Sequence, residues 1–390
     1  MQSSTSNNPS QVSSGKVIAA LAALLGCVGV GMLVGGELGD FMTASMQVLP
    51  FVVLAILAYL ALEQFWAKVV SVLWLGMLLF GFAVFCLMWS MLAVTDPSTV
   101  QSFAAPAETG VSPQLQAGGL QQLGIVFLVL GAASLLGIPG FLPAVRRVLS
   151  RVMPLEPDSF VHTIALVTVV SVSLMACVPL LVLNEPPILA ASSIAFLEES
   201  MTSESAAMSR FEIYAMLWTI VGAFFIVGLG VRRNIHDVLK RLGFVRPTAK
   251  QLLAGIILSP LLVAAVLVMG MGIDWLWNVM GWPITNERAL EVVFSSSLNL
   301  PGALISSVAA GVGEELAVRG VLQPRMGIFL SNFFFASMHA LQYHWDGFFS
   351  VFIIGLVFAV IRQRTNTTTS AILHTGYDLV LFSLIMTEMV

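Results

Sequence analysis

Charge is what this chain of 390 residues has least of. Only 10% of its residues are Asp, Glu, Lys or Arg, against roughly a quarter in soluble domains. That scarcity excludes a water-soluble globular protein, and a hydrophobic content of 58% excludes a disordered chain. A basic excess is missing as well. With 17 Lys and Arg against 21 Asp and Glu, the net charge is -4, so nucleic acid is not an expected partner. Cysteine is sparse: Cys27, Cys86 and Cys177 all lie inside apolar runs. Neither a disulfide framework nor a cysteine-based zinc site is expected from them. With a mean hydropathy of +0.94, what remains is a polytopic membrane protein with the lipid bilayer as its surroundings.

A bilayer-spanning helix needs about 20 apolar residues. Suitable runs are Val17–Gly36, Gln47–Leu62, Val69–Val94, Leu120–Leu142, Phe160–Leu183 and Phe211–Val231. They continue with Leu252–Gly272, Leu298–Val318, Met326–Trp345, Phe348–Ile361 and Ser370–Met386. Continuous apolar runs are not the alternating strands of a barrel. The expected fold is therefore all-α, a transmembrane helical bundle of about eleven passes. The first run ends in Gly35-Gly36-Glu37 and lacks the small-residue exit of a cleaved signal peptide, so it is read as a retained helix.

The loops sort by charge. Every basic residue except Arg210 and Arg288 falls in one alternate set of loops or helix ends, and the other set carries acids such as Glu37, Asp40, Asp96 and Glu185. Basic loops stay in the cytoplasm, which places the N-terminus inside and the C-terminus outside. The location this implies is a plasma membrane, taken as prokaryotic. Three regions follow: an uncharged tail at 1–15, read as disordered; an N-terminal membrane region of unassigned role at 16–250; and a C-terminal membrane region at 251–390. The acidic loop from Asn184 to Arg210 is expected outside, and the basic loop from Arg232 to Lys250 inside.

An ionisable side chain at the centre of a membrane helix costs about 2.5–3.5 kcal/mol or more, so it points to function by default. Such residues concentrate at the end of the chain. The eighth run ends in Glu314-Glu315-Leu316-Ala317-Val318-Arg319, the ninth holds Phe335 and His339, and the eleventh holds His374 and Asp378. Glu315 and Arg319, four apart, share a helix face and can pair. Glu314 lies about 100° round the helix and is left free. Phe335 can wall the ring of His339, and His374 and Asp378 can aim at one centre. A free carboxylate and two imidazoles brought together can activate water, either by taking its proton or by holding a metal that does.

Taken singly, each piece has a plainer explanation. A Glu–Arg pair at a helix end is usually structural, and a lone histidine on an apolar face is usually a hydrogen-bonded core residue. His162, His236 and His344, near helix ends or loops, are read that way, and Glu198-Glu199 shows how little a bare acidic pair means. The ordered coincidence of all three pieces is what counts.

That ordered set, Glu-Glu-x-x-x-Arg, Phe-x-x-x-His and His-x-x-x-Asp, resembles the CPBP family over roughly Leu298–Met386. The family comprises the CAAX prenyl endopeptidases of the Ras-converting type and bacteriocin-processing or self-immunity relatives. The resemblance implies an intramembrane endopeptidase acting on a membrane-associated, prenylated or CAAX-like protein or peptide. It implies Glu314 as general base, His339 as a helper that binds and activates the water, and His374 and Asp378 as oxyanion stabilisers. Glu315, Arg319 and Phe335 would support them. Asp378 departs from the eukaryotic prenyl proteases, which have Asn there.

No cofactor is expected, although Glu314, His339 and His374 also form a conceivable zinc set of two imidazoles and a carboxylate. The His-Glu-x-x-His helix of many zinc proteases is absent. The competing readings are a proton-coupled transporter, in which buried Glu and His relay protons, and an inactive scaffold of the same family. The cavity serving this site is expected to open to the cytoplasm.

Overall fold

A computed structural model describes residues 14–100, 114–201 and 205–387. Apart from Ser14 and Gly15, which begin the first helix, the expected tail lies outside the described residues. The helices are α1 Ser14–Val34, α2 Gly36–Ala44, α3 Leu49–Leu60, α4 Phe65–Ala93, α5 Gly119–Leu136 and α6 Pro143–Leu149. They continue as α7 Phe160–Leu183, α8 Ala191–Met201, α9 Ser205–Ile226, α10 Ile235–Leu242, α11 Ala249–Met280 and α12 Glu287–Val293. The C-terminal core is α13 Leu300–Glu314, a π-helical turn Glu315–Leu322, α14 Gln323–Met338, α15 Trp345–Arg364 and α16 Thr367–Met386. Among the described residues no strand forms beyond two isolated bridges.

Among the described residues eight helices are long and apolar enough to cross a membrane, or up to nine if the bent pair α2 and α3 acts as one span. The two expected passes outside that test are α13 with its π turn and α14, both short or broken and rich in polar residues. The loops expected at 184–210 and 232–250 contain helices of their own, α8 and α10.

Side-chain caps fix where the helices start. Asn234, Asn286, Asn299 and Asn366 accept from the backbone N–H of Asp237, Ala289, Gly302 and Thr369. Thr248 and Gln251 form a reciprocal capping box at the head of α11. Each cap satisfies an N–H that an apolar surrounding would leave stranded.

The basic loops gather at one end of the bundle. There Arg325 Nη2 donates to Tyr59 Oη at 2.6 Å, and Tyr59 Oη donates to the carbonyl of Ile226 at 3.2 Å. Arg241 Nη1 donates to Gly320 O at 3.1 Å, and Thr367 Oγ1 donates to Leu242 O at 2.6 Å. The N-terminal and C-terminal regions are thus bonded together, with α7 packed on α14 and α9 on α13. The opposite end carries α12 with Glu287 and Glu291, and the α7 terminus near Asn184. We call the two the basic end and the acidic end.

Two glycines are needed where they stand. Gly327, at φ 71°, breaks α14 one turn after its start and lets the chain turn in from the basic end. A Cβ on Gly311 would collide with Thr375, so glycine is what lets α13 and α16 approach.

Candidate active site

The site lies where α13, its π turn, α14, α15 and α16 meet. On α16, Ser370, His374 and Asp378 recur every four residues and so form one stripe. Facing them, the end of α13 presents Glu314 and Glu315. The two adjacent carboxylates part company here. Glu314 keeps 38% of its side chain exposed, into a cavity of about 820 Å³, whereas Glu315 has none. Only Glu314 can meet water.

His374 is held on both ring nitrogens. Its Nδ1 lies 3.1 Å from Glu315 Oε1, and its Nε2 lies 3.4 Å from Asp378 Oδ2 and 3.9 Å from Glu314 Oε2. Ser370 Oγ donates to the other Glu315 oxygen at 2.6 Å. The ring of Phe358 stacks on the imidazole, with centroids 4.3 Å apart and planes at 22°. A ring gripped this way has one orientation, with Nε2 turned to the cavity.

Arg319 anchors Glu315 from behind. Its Nη1 lies 3.5 Å from Glu315 Oε1, with both side chains fully buried. Its Nη2 donates to Gly355 O at 2.9 Å and, at the limit of 3.5 Å, to Asn332 Oδ1. Nε and Nη1 have no hydrogen-bond acceptor, and the guanidinium carbon sits 4.3 Å from the centroid of the Phe335 ring. A cation over an aromatic face recovers part of the cost of desolvation. Phe335 also meets the ring of His339 edge-on at 4.8 Å. His339 Nδ1 bonds the Phe335 carbonyl at 2.9 Å, which leaves Nε2 to the same cavity that Glu314, His374 and Asp378 line. Tyr343 stacks on the far face of His339 at 6.1 Å.

All seven residues singled out in the sequence therefore belong to one place: four line the cavity as polar groups, Phe335 walls it, and Glu315 with Arg319 lies directly behind. Two assignments change. Asp378, expected to stabilise the oxyanion beside His374, stands 3.4 Å from the His374 Nε2 that would donate to it, while Glu315 takes Nδ1. Glu315 thus has a direct hold on His374 beyond its pairing with Arg319. Ser370, Asn332, Phe358 and Tyr343 were not anticipated. Ser370 had a signal, its spacing of four from His374, and so had Tyr343, four beyond His339; Asn332 and Phe358 are defined only by contacts between helices.

The plainer reading of the remaining histidines holds. His162 Nδ1 accepts from the backbone of Glu156 at 2.9 Å, and His344 Nδ1 accepts from Trp345 at the head of α15 at 2.8 Å.

Among the described residues no three His, Cys, Asp or Glu side chains are grouped to hold a metal ion. No step below is routed through a metal.

The cavity runs in an unexpected direction. Along α16 its lining continues from His374 through Leu381 and Phe382 to Ile385, and along α13 from Glu314 back to Ser306. It also takes in the middle of α9, from Phe211 to Thr219, and both Glu287 and Glu291 on α12. It therefore leads to the acidic end, away from the basic loops, where the expected cytoplasmic orientation of those loops required the reverse. The packing that closes the basic end, around Gly320, Leu242 and Thr367, is the physical reason.

Residues 296–380 match the family model of the Rce1-like type II CAAX prenyl endopeptidases. No curated protein and no solved structure matches the chain. The matched segment, less than a quarter of the chain, starts just before α13 and ends two residues beyond Asp378, so it contains every residue of the site and almost nothing else. The segment 296–380 is thus similar to the type II CAAX prenyl endopeptidases, which supports a CPBP-type protease core, and the remaining helices form an all-α membrane bundle around it.

Proposed function

We propose that the chain is an intramembrane endopeptidase in which Glu314 and His339 activate a water and His374 stabilises the oxyanion. One observation carries the reading: Glu314, His339 and the Nε2 side of His374 share one cavity, while the partners that orient His374 are buried behind it. A water held between Glu314 and His339 gives its proton to the Glu314 carboxylate as its oxygen attacks the scissile carbonyl. Negative charge develops on the carbonyl oxygen. His374, flanked by the carboxylates of Glu315 and Asp378, donates Nε2–H to it. The tetrahedral intermediate collapses, the C–N bond breaks, and Glu314 returns its proton to the leaving amine. Atoms and charge balance with water as the only co-reactant.

The burial of Arg319 supports this reading. A fully buried ion pair is weak support for stability, because desolvation offsets most of its attraction. Here it fixes the one carboxylate that holds the oxyanion donor. The substrate is a peptide segment reaching the site in or beside the membrane. The test is cleavage of membrane peptides by reconstituted protein, compared by mass spectrometry with Glu314→Ala. Equal peptide profiles for the two would defeat the protease reading and leave the transporter or scaffold readings standing.

A further inference from the structure

The direction of the cavity and the direction of the chain together say from which side substrate arrives. At 1.5 Å per residue, α13 carries the cavity wall over about 21 Å from Leu300 to Glu314. On the same arithmetic His374 is about 10 Å from the start of α16 at the basic end, and His339 about 18 Å from Gly327. His339 is thus the deeper of the two when measured from the basic end, and the nearer when measured from the acidic end. Water and substrate arriving from the acidic end meet His339 and Glu314 without crossing Arg319, Glu315 and Ser370, which are buried and mutually bonded.

Apart from the two histidines, the charged lining has a single sign as well. Glu212, Glu287, Glu291, Glu314 and Asp378 line the cavity, and no Lys or Arg does. Arg210 and Arg288, the basic residues of that end, are not among the lining side chains. Glu212 is tied to the wall, with Ser306 Oγ donating to Oε2 at 2.5 Å. These carboxylates come from four separate helices and surround a path to the reacting groups. A low-dielectric channel lined by one sign of charge concentrates ions of the other sign. Basic loops mark the cytoplasmic face.

We infer that the cavity is loaded from the extracytoplasmic side, and that its preferred substrate is a positively charged peptide segment presented there or in the outer leaflet. This deepens the protease reading and rests on it, but the access route can be measured without catalysis. The three native cysteines are first replaced by Ala, since Cys27 is exposed. Single cysteines are then placed at Leu298 near the mouth, at Ala310 on the wall and at Lys240 on the basic end. Membrane-impermeant thiosulfonates, one cationic and one anionic, are applied to intact cells and to permeabilised cells.

The expected result is labelling of Leu298→Cys and Ala310→Cys in intact cells, and of Lys240→Cys only after permeabilisation. The cationic reagent should react about tenfold or more faster than the anionic one at Ala310→Cys. Adding Glu287→Gln and Glu291→Gln should bring the two rates together. Labelling of the cavity positions only after permeabilisation would overturn the access side. Equal rates for the two reagents at Ala310→Cys, with Leu298→Cys labelled normally as proof of folding, would overturn the preference for positive charge. Cleavage lost in Glu314→Ala with this labelling pattern intact would leave both halves standing. Labelling as expected with no peptide ever cleaved would sink the protease reading alone.

Discussion

Helices α7 and α16 are both central, yet they are buried for different ends. In α7 67% of the apolar window is covered by protein; Met175 and Val178 pack beside Cys86 and Val126, and its buried Thr and Ser side chains, such as Ser171, bond mainly to backbone carbonyls. In α16 only 33% is covered, and the covered side carries Ser370 and His374, with Asp378 beside them. Lipid tails are as apolar as leucine, so a membrane helix gains little from burying hydrocarbon and is held mainly by close packing and polar bonds. α7 is scaffold, and α16 holds chemistry that the scaffold keeps in register. The N-terminal region, which lies outside the family match, supplies α7 and α9, the outer walls of the core.

That contrast breaks most visibly at Glu314. Glu314→Ala should lower turnover by about 10²–10⁴-fold while the thermal unfolding midpoint in detergent hardly moves. A comparable loss of stability would mean that α13 is scaffold too. Next in size is Arg319→Leu, which takes the guanidinium from a fully buried Glu315 and leaves it only His374 and Ser370 as partners. Breaking a buried pair on one side costs about 3–5 kcal/mol, to be measured by unfolding. The paired change with Glu315→Leu should recover much of that stability but not the cleavage. If the double variant cleaves normally, Glu315 does not orient His374.

On the scaffold side, Met175→Ala is expected to cost about 2 kcal/mol. That is the low end for such truncations, since the exposed reference is lipid rather than water. The folded fraction should keep the wild-type kcat and KM. A change in KM would make α7 part of the substrate path. The smallest effect belongs to Asp378→Asn. Asn can donate a hydrogen bond to an oxyanion, which an ionised Asp cannot. Activity should largely persist, and the limb of the pH–rate profile due to the Asp378 carboxyl should vanish. Asp378→Ala should lose more. An Asn variant as inactive as Ala at every pH would make the charge itself essential.

Most of the passes were legible because twenty-residue apolar runs have a single reading in a membrane. Their ends were less so: the run 348–361 becomes Trp345–Arg364, and 252–272 becomes Ala249–Met280. Polar residues at those ends, such as Asp346 and Asn278, hide helix that extends past the hydrocarbon. The helix Gly36–Ala44 was invisible for the same reason, with Glu37 and Asp40 interrupting the apolar pattern. In the site, pairs four apart on one helix were readable from spacing. The grip of Glu315 on His374, the stacking of Phe358 and the partners of Arg319 all cross between helices, and no spacing within one helix encodes them. The direction of the cavity was likewise beyond the sequence, because it depends on which end the packing closes.

The π-helical stretch from Glu315 to Leu322 has a consequence for how this chain tolerates change in length. A π turn holds more residues than an α turn, and such turns concentrate at functional sites. Removing one residue from it would let the segment wind as ordinary α-helix and would change which of its side chains face the rest of the core. Contacts made from within the turn, such as Gly320 against Leu242, would be reset, although every side chain with chemistry were still present. In this stretch the length of the chain is itself a functional trait. A one-residue deletion here should be less tolerated than almost any single substitution outside the site.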